Sequence, residues 1–374
     1  MSQLKTNAIR HTTATSDAIT LVSDGTATAK LTNTQPGSKN IIINGAQMID
    51  QRHSGSSVTM SASATFITDR FKCWEDTDGG LTAQQTSDAP AGFKRSLKFT
   101  VTSADSSIGA SQYAMLRYPV EGYDMEDQNW GTSSAGTLTL SFWVKCSVTG
   151  TFGGGFVNSS DNRSYPFTYT VSSADTWEKK TVTVAGDQTG TWNAGTSACV
   201  NIHWSLGIGS NSQGTAGEWQ AGNKYTATGE TALIANNGAT WYLTGVQFER
   251  GTRATEFEYR SFSDEISRCE RYYQNSFDYG SVPGTSTDFN DCIIVTSWED
   301  GNAPGPRFRV EMRGAPTFTI RPRSSTSTGE VNNSDVTRSA STPQVSTKGA
   351  SYVGVTSGQA GHFTAYTWEA NAEI

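Results

Sequence analysis

The chain has 374 residues and a formal charge of −7, with 28 Lys and Arg against 35 Asp and Glu. Charged residues make up 17%, against about 25% in an ordinary soluble domain, while Ser and Thr supply about a quarter of the chain and Gly (37) outnumbers Lys and Arg together. This excludes a coiled coil, which would be rich in Ala, Glu, Lys and Leu, a nucleic-acid binder, which would carry a basic stripe, and, with 16 Phe, 13 Tyr and 10 Trp, a disordered chain.

What remains is a polar, Gly- and Thr-rich β protein long enough for roughly two domains. Met1 to Arg10 lack the apolar core of a secretory signal. No stretch approaches the ~18 apolar residues of a membrane span, so membrane insertion is not expected. Cys73, Cys146, Cys199, Cys269 and Cys292 lie far apart and form no zinc or CxxC spacing. We expect five buried, reduced thiols in a protein folded in a reducing cytosol.

In chain order, the first signal is a hairpin. Ile19 and Leu21 alternate up to Asp24-Gly25, and Thr26, Thr28 and Leu31 lead away. Asp-Gly supplies the two positive-φ positions of a tight turn. Residues 32–39, with Pro36-Gly37, read as a linker. From about Asn40 to Arg260 period-2 strands follow one another. They are Leu97–Val101, Leu138–Val144, Tyr165–Val171, Val182–Val184, Val200–Ile208 and Trp241–Phe248. In the last, the phase slips by one at Gly245, as at a β-bulge. Strands separated by Gly/Ser/Asn loops, with long connections and no helices between them, predict an antiparallel jelly-roll sandwich.

One helix is predicted over Asp264–Gln274. Ser261 and Asp264 form a capping-box opening, and Ile266, Cys269, Tyr272 and Tyr273 fall at helical spacing. Short strands resume at Cys292–Val295, Phe308–Met312, Phe318–Ile320, Tyr352–Val355 and Phe363–Trp368. The polar stretch Ser324–Ser346 is expected to be an exposed loop. The predicted fold is therefore all-β: an N-terminal β-hairpin segment with its linker (1–39), a central jelly-roll β-sandwich (40–260), one short connecting helix (261–275) and a smaller C-terminal β-sandwich (276–374).

Several strings, in order, carry a family resemblance. They are Ile41-Ile-Ile-Asn-Gly-Ala-Gln-Met48 with Gln51-Arg52, Thr68-Asp-Arg-Phe71, Leu138-Thr-Leu-Ser-Phe-Trp-Val144 and Trp177-Glu-Lys-Lys-Thr-Val182. Next come Trp241-Tyr-Leu-Thr-Gly-Val-Gln-Phe-Glu249, Ala254-Thr-Glu-Phe-Glu-Tyr-Arg260, Cys269-Glu-Arg-Tyr-Tyr273 and the closing Trp368-Glu-Ala-Asn-Ala-Glu-Ile374. Over residues 40–374 the chain resembles bacteriophage tail-fibre and host-attachment proteins that hold a jelly-roll carbohydrate-binding-like module. The segment Ser23-Asp-Gly-Thr26 is similar to the short β segments that precede such domains.

The resemblance implies a virion protein, assembled in the host cytoplasm and homotrimeric. Residues 1–39 would attach it to an adaptor or nozzle protein of the phage tail, and the jelly roll would recognise a host cell-surface glycan. It implies no cofactor. Two other readings stand beside this one, a ligand-free structural spacer or decoration of the virion and a polysaccharide depolymerase. Against catalysis, no carboxylate pair is singled out, no G-x-S-x-G occurs and no β-helix repeat is present.

Sugar recognition combines an aromatic platform with carboxylates or amides. The loop from Glu121 to Trp130 offers Tyr123, Asp124, Glu126, Asp127 and Trp130, and the loop from Gly209 to Trp219 offers Asn211 and Trp219. Trp192 is a weaker third candidate. The competing reading of the first loop is an acidic turn with Trp130 packed under the sandwich. Asp76-Thr-Asp78-Gly-Gly80 lacks the acidic residue of a calcium loop at Ser87. Asp124, Glu126 and Asp127 could supply oxygens to a structural calcium. The four histidines are scattered, and His203, between Ile202 and Trp204, reads as a structural residue. The net charge argues against simple attraction to an anionic cell surface.

Overall fold

A computed structural model describes residues 39–284, 291–298, 302–323, 325–341 and 344–374, with the backbone of 8–9, 19–21 and 27–29. The chain divides into two units, 1–39 and 40–374. In the first, Ile19–Leu21 pairs antiparallel with Ala27–Ala29, Leu21 facing Ala27, and with Ala8–Ile9 on its other side. The Asp24-Gly25 turn, Leu31 and the Pro36-Gly37 linker lie outside the described residues.

The alternating strands of the second unit build two antiparallel sheets packed face to face. One has the order Glu178–Val184, Leu138–Cys146, Thr240–Arg250, Ser96–Ser103, Gly80–Thr86, Val58–Thr59. The other runs Gln220–Ala221, Arg163–Val171, Gly150–Asn158, Ala198–Ile208, Tyr113–Glu121, Phe71–Glu75, Thr65–Thr68. Inward side chains meet across the gap. Phe142 packs edge-on to Trp204 (5.9 Å) and Phe156 stacks on Phe248 (5.5 Å). The Trp241 indole N–H donates to the Tyr169 hydroxyl at 3.2 Å. The predicted slip at Gly245 is a bulge. Ser141 faces Gln247 but Trp143 faces Thr244, and Gly245 sits at φ +61°.

Strands the alternation left unassigned form the middle of the seven-stranded sheet. Gly150–Asn158 contains three consecutive glycines, and Tyr113–Glu121 is apolar almost throughout and contains Pro119. The proline is tolerated because the neighbouring strand on one side pairs only from Ala114 to Arg117.

Among the described residues the one α-helix is Phe262–Glu270, capped by Ser261, whose hydroxyl accepts from the Asp264 amide. It stops short of the predicted Gln274 because Tyr273–Asn275 is drawn into edge pairing with Phe363–Asn371. The latter strand anchors a second, branched sheet around a separate core of Phe318, Ile320, Val331, Val353, Tyr366 and Trp368. The expected loop Ser324–Ser346 is instead largely strand: Glu330–Asn333 and Val336–Ser341 form a hairpin, and Val345–Ser346 pairs with Gly349–Ala350. Its two-residue turn, Ser334-Asp335, has both φ positive, the turn that suits strand twist. Few apolar residues are needed because that hairpin sends only Val331 fully into the core, with Ala340 packed at its margin. Four cysteines are buried and Cys292 is half-buried, all as free thiols.

Residues of four of the resembling strings meet at the seam between the two cores. Gln51 donates through its backbone and side-chain N–H groups to Asp69, both at 2.8 Å. Arg52 lies 3.7 Å over the Tyr273 ring and Arg70 lies 3.5 Å over Tyr272. Both arginines pair with Glu373, near the end of the chain. Burial raises the Asp69 carboxyl to about 6 against the pull of Arg52. These four strings therefore build a junction that joins the sandwich to the C-terminal sheet.

Candidate functional site

The three sequence-nominated loops do meet in part. Trp130, Trp192 and Trp219 form a mutual edge-to-face cluster, with ring centroids 4.8, 5.4 and 5.3 Å apart. Each indole N–H already has a carbonyl: Gly136 for Trp130, Thr189 for Trp192 and Ala185 for Trp219. Trp130 is buried, and the other two pack against the sandwich core. Edge-to-face pairs contribute about 0.5–1.5 kcal/mol each beyond area burial, and the rings are engaged in closing one end of the sandwich. Around them Asp127 pairs with Arg250, and Glu126 accepts from the Gly195 amide. Tyr123 is 59% exposed and Asp124 is exposed beside it. Asn211 lies apart, donating to Ser111 and accepting from Lys224 through its carbonyl. Asp76 accepts from the Tyr113 amide at 2.6 Å. Among the described residues, no group of three or more His, Cys, Asp or Glu side chains is gathered to hold a metal ion.

A different surface emerges on the outer face of the seven-stranded sheet. Alternation along Phe71–Glu75 buries Phe71, Cys73 and Glu75 and turns Lys72 and Trp74 outward. The same alternation sends Tyr113, Met115 and Arg117 outward from the next strand and His203 and Ser205 from Ala198–Ile208. Cross-strand register sets Lys72 opposite Arg117, Trp74 opposite Met115, and Arg117 opposite His203.

The segment 211–230 folds over part of this face. Its Gln213–Gly214 pairs parallel with Thr226–Ala227, and Glu230 pins it down by accepting from the Ser205 and Thr226 hydroxyls. Burial raises the Glu230 carboxyl to about 7, against those hydrogen bonds. The glycine run beneath explains the close approach. A Cβ on Gly153 would lie 2.0 Å from Thr226 Oγ1, and one on Gly155 would lie 2.9 Å from the Lys224 carbonyl. The strap delivers Tyr225 onto His203 (4.8 Å) and edge-on to Tyr113 (6.2 Å).

The rest of this face is built on a buried apolar cluster of Met115, Val157, Ile208 and Tyr225, with half-buried Trp74 and Tyr113 packed against it. At its centre Arg117 donates from Nε to His203 Nε2 at 2.7 Å. His203 is fully buried, and burial, with Arg117 beside it, holds the imidazole well below its ordinary pKa. It therefore stays neutral and acts as an acceptor. The Arg117 guanidinium lies 4.5 Å over the Trp74 ring. Lys72 Nζ is 5.1 Å from that ring and donates to a main-chain oxygen of Ile374 at 2.6 Å. Burial, then Arg117, lowers the Lys72 ammonium to about 8. The opposing charge is Asp161, held at φ +51°, whose carboxyl is raised by burial and lowered by Arg117 and Lys72. Its Oδ1 is buried without a hydrogen-bond partner. None of these residues was nominated from sequence except His203, as a structural residue. The available signal was the alternation Lys72-Cys73-Trp74-Glu75, which is too short to stand out beside longer runs.

No family model matches the chain, and no curated protein matches it. Among solved structures, it is similar to the enzymatically active domain of tailspike protein 4 from bacteriophage CBA120, at 12% identity and a TM-score of 0.30. That alignment covers 57% of this chain and 22% of the tailspike chain. It is also similar to a putative sugar-binding protein from Bacteroides thetaiotaomicron, at 12% identity and a TM-score of 0.31, over 57% of this chain and 100% of that one. A family 11 carbohydrate-binding module from Clostridium thermocellum, in complex with a β-1,3-1,4-mixed-linked tetrasaccharide, aligns at 10% identity and a TM-score of 0.27, over 53% and 98%. Alignments this loose transfer neither a residue nor a ligand.

Proposed function

We propose that this chain is a binding protein rather than a catalyst, and that the outer face of its seven-stranded sheet holds a glycan. The observation that carries the reading is the juxtaposition of two strand-borne rings (Trp74, Tyr113) and one delivered by the strap (Tyr225) with charged groups over a buried apolar cluster. A pyranose presents apolar C–H faces and a rim of hydroxyls. The rings suit the faces, and Asp161, Lys72 and Arg117 suit the rim. Strand-borne side chains lose little freedom on binding, which lowers the ordering cost of association.

In the wider reading, the protein is a homotrimeric tail fibre of a tailed phage, attached to the tail through residues 1–39 and recognising a host surface glycan. The ordered motif strings and three short N-terminal strands support it, because so small a sheet is marginal unless copies pack together. Full-length protein applied to arrayed host polysaccharides tests the binding face. Trp74→Ala should remove at least tenfold in affinity, while far-UV circular dichroism stays that of the parent. A folded Trp74→Ala protein that binds like the parent refutes this face. Sedimentation equilibrium of the full chain should return a trimer, and a stable monomer would end that part of the proposal.

A further inference from the structure

Resting on the glycan-binding reading, we infer that the sugar held on this face is anionic, a pyranose bearing a carboxylate or another oxyanion, with Arg117 and Lys72 as its recognition pair. Three features of the face lead there. Lys72 and Arg117 are direct cross-strand neighbours on one side of the sheet, and like charges so placed repel. Nevertheless, among the described residues no carboxylate lies within ion-pairing distance of Arg117.

The contrast within the molecule sharpens this. The well-buried arginines of the seam each have a carboxylate close by: Arg52 has Asp69 at 3.5 Å, Arg70 has Glu373, and Arg260 has Glu258 at 3.1 Å. Burying a cation without such a partner is costly. Arg117 instead commits its Nε to a neutral histidine, so His203 orients the guanidinium without neutralising it. The planar guanidinium, fixed at Nε by His203 and hydrogen-bonded to the Tyr225 side chain, has further terminal N–H groups that can donate to an oxyanion. Lys72 stands across the strand as a second positive charge.

Asp161 adds selectivity. It is close enough to feel both cations yet forms an ion pair with neither, and one buried oxygen lacks a partner. A sugar hydroxyl would supply the missing donor while the anion faces Arg117 and Lys72. The aromatic rings would take the apolar face of the same ring. A net charge of −7 over the whole chain thus coexists with a local cationic pair, which would select an acidic sugar by contact rather than by long-range attraction.

The test is isothermal titration of the full chain with three probes: trigalacturonic acid, the neutral β-1,4-galactotriose, and glucose 6-phosphate. A charge-assisted hydrogen-bond pair is expected to favour an acidic probe over the neutral one by about 10- to 100-fold. If the carboxylate sugar alone gains, the site reads a carboxylate; if the phosphate sugar gains equally, it reads an oxyanion in general. Arg117→Gln should collapse the acid-over-neutral ratio toward one, Arg117→Lys should restore part of it, and Lys72→Gln should reduce it independently. Raising salt from 50 to 500 mM should weaken acidic binding more than neutral binding.

Equal affinity for acidic and neutral probes, with Trp74→Ala removing both, overturns the anionic assignment and leaves the glycan face standing. An acid preference that survives both Arg117→Gln and Lys72→Gln also overturns it. No binding of any probe, with arrayed host polysaccharides equally unbound, overturns both readings.

Discussion

Replacing Glu230 by Gln probes the strap that carries Tyr225 over the sheet. An ordinary glutamate titrates near 4.5 and this one at about 7, because burial disfavours its charged form. At about 1.4 kcal/mol per pH unit the difference corresponds to about 3 kcal/mol between the two protonation states. The sign follows from linkage. A folded-state value above the unfolded one means the folded protein holds the proton more tightly. Stability from this group is then fully present below pH 4.5 and is lost as pH rises through about 7. The amide introduced by Glu230→Gln would mimic the protonated form: its oxygen accepts from one of the Ser205 and Thr226 hydroxyls, its NH2 donates to the other, which turns to accept, and it does not titrate. Urea unfolding at half-unit steps from pH 4.5 to 8.5 should therefore show parent and Glu230→Gln converging at low pH. The variant should be more stable by up to about 3 kcal/mol at pH 8. Because Asp69 and other groups titrate alike in both proteins, the difference curve isolates Glu230. Parallel curves across the whole range would refute the reasoning, and a destabilised variant at every pH would show that the carboxylate form holds the strap.

Two further outcomes follow from the packing. Gly245→Ala places a Cβ 2.7 Å from Phe93 and 2.9 Å from Trp143 at a positive φ, so it should cost about 1–3 kcal/mol in urea unfolding; an unchanged midpoint would contradict the bulge geometry. Glu373→Ala strips the shared carboxylate from Arg52 and Arg70 and should cost about 3–5 kcal/mol as buried unpaired charge, checked by thermal unfolding, and a loss below about 1 kcal/mol would mean the seam is solvated.

The readable parts of the sequence were those where local pattern and tertiary role coincide. Leu138–Val144 and Val200–Ile208 alternate because one face of each strand is committed to the core, and that periodicity is printed in the residues themselves. The bulge at Gly245 was legible for the same reason, since a phase slip at glycine has one structural meaning. Gly150–Asn158 was illegible because its glycines answer to a strap from residues 224–230 lying on them, a contact no local window contains. The helix overran its true end because Tyr272 and Tyr273 keep helical spacing, while edge pairing with Asn371 decides their backbone. Ser324–Ser346 looked like a loop because a hairpin that contributes little to the core needs almost no apolar residues.

The same division governs function. Low charge, abundant hydroxyls, aromatic content and strand alternation determined an all-β chain, because composition and spacing survive without coordinates. The junction built by Gln51, Arg52, Asp69, Arg70, Tyr272 and Tyr273, by contrast, emerged only from the tertiary structure. The tryptophans that stand out in sequence satisfy one another at the end of the sandwich. Lys72, Trp74, Tyr113, Arg117, Asp161, His203 and Tyr225 are unremarkable where they occur along the chain. Only strand order, register and the strap place them on one face, because adjacency in a sheet is set by hydrogen-bonded pairing between distant segments rather than by neighbours in sequence.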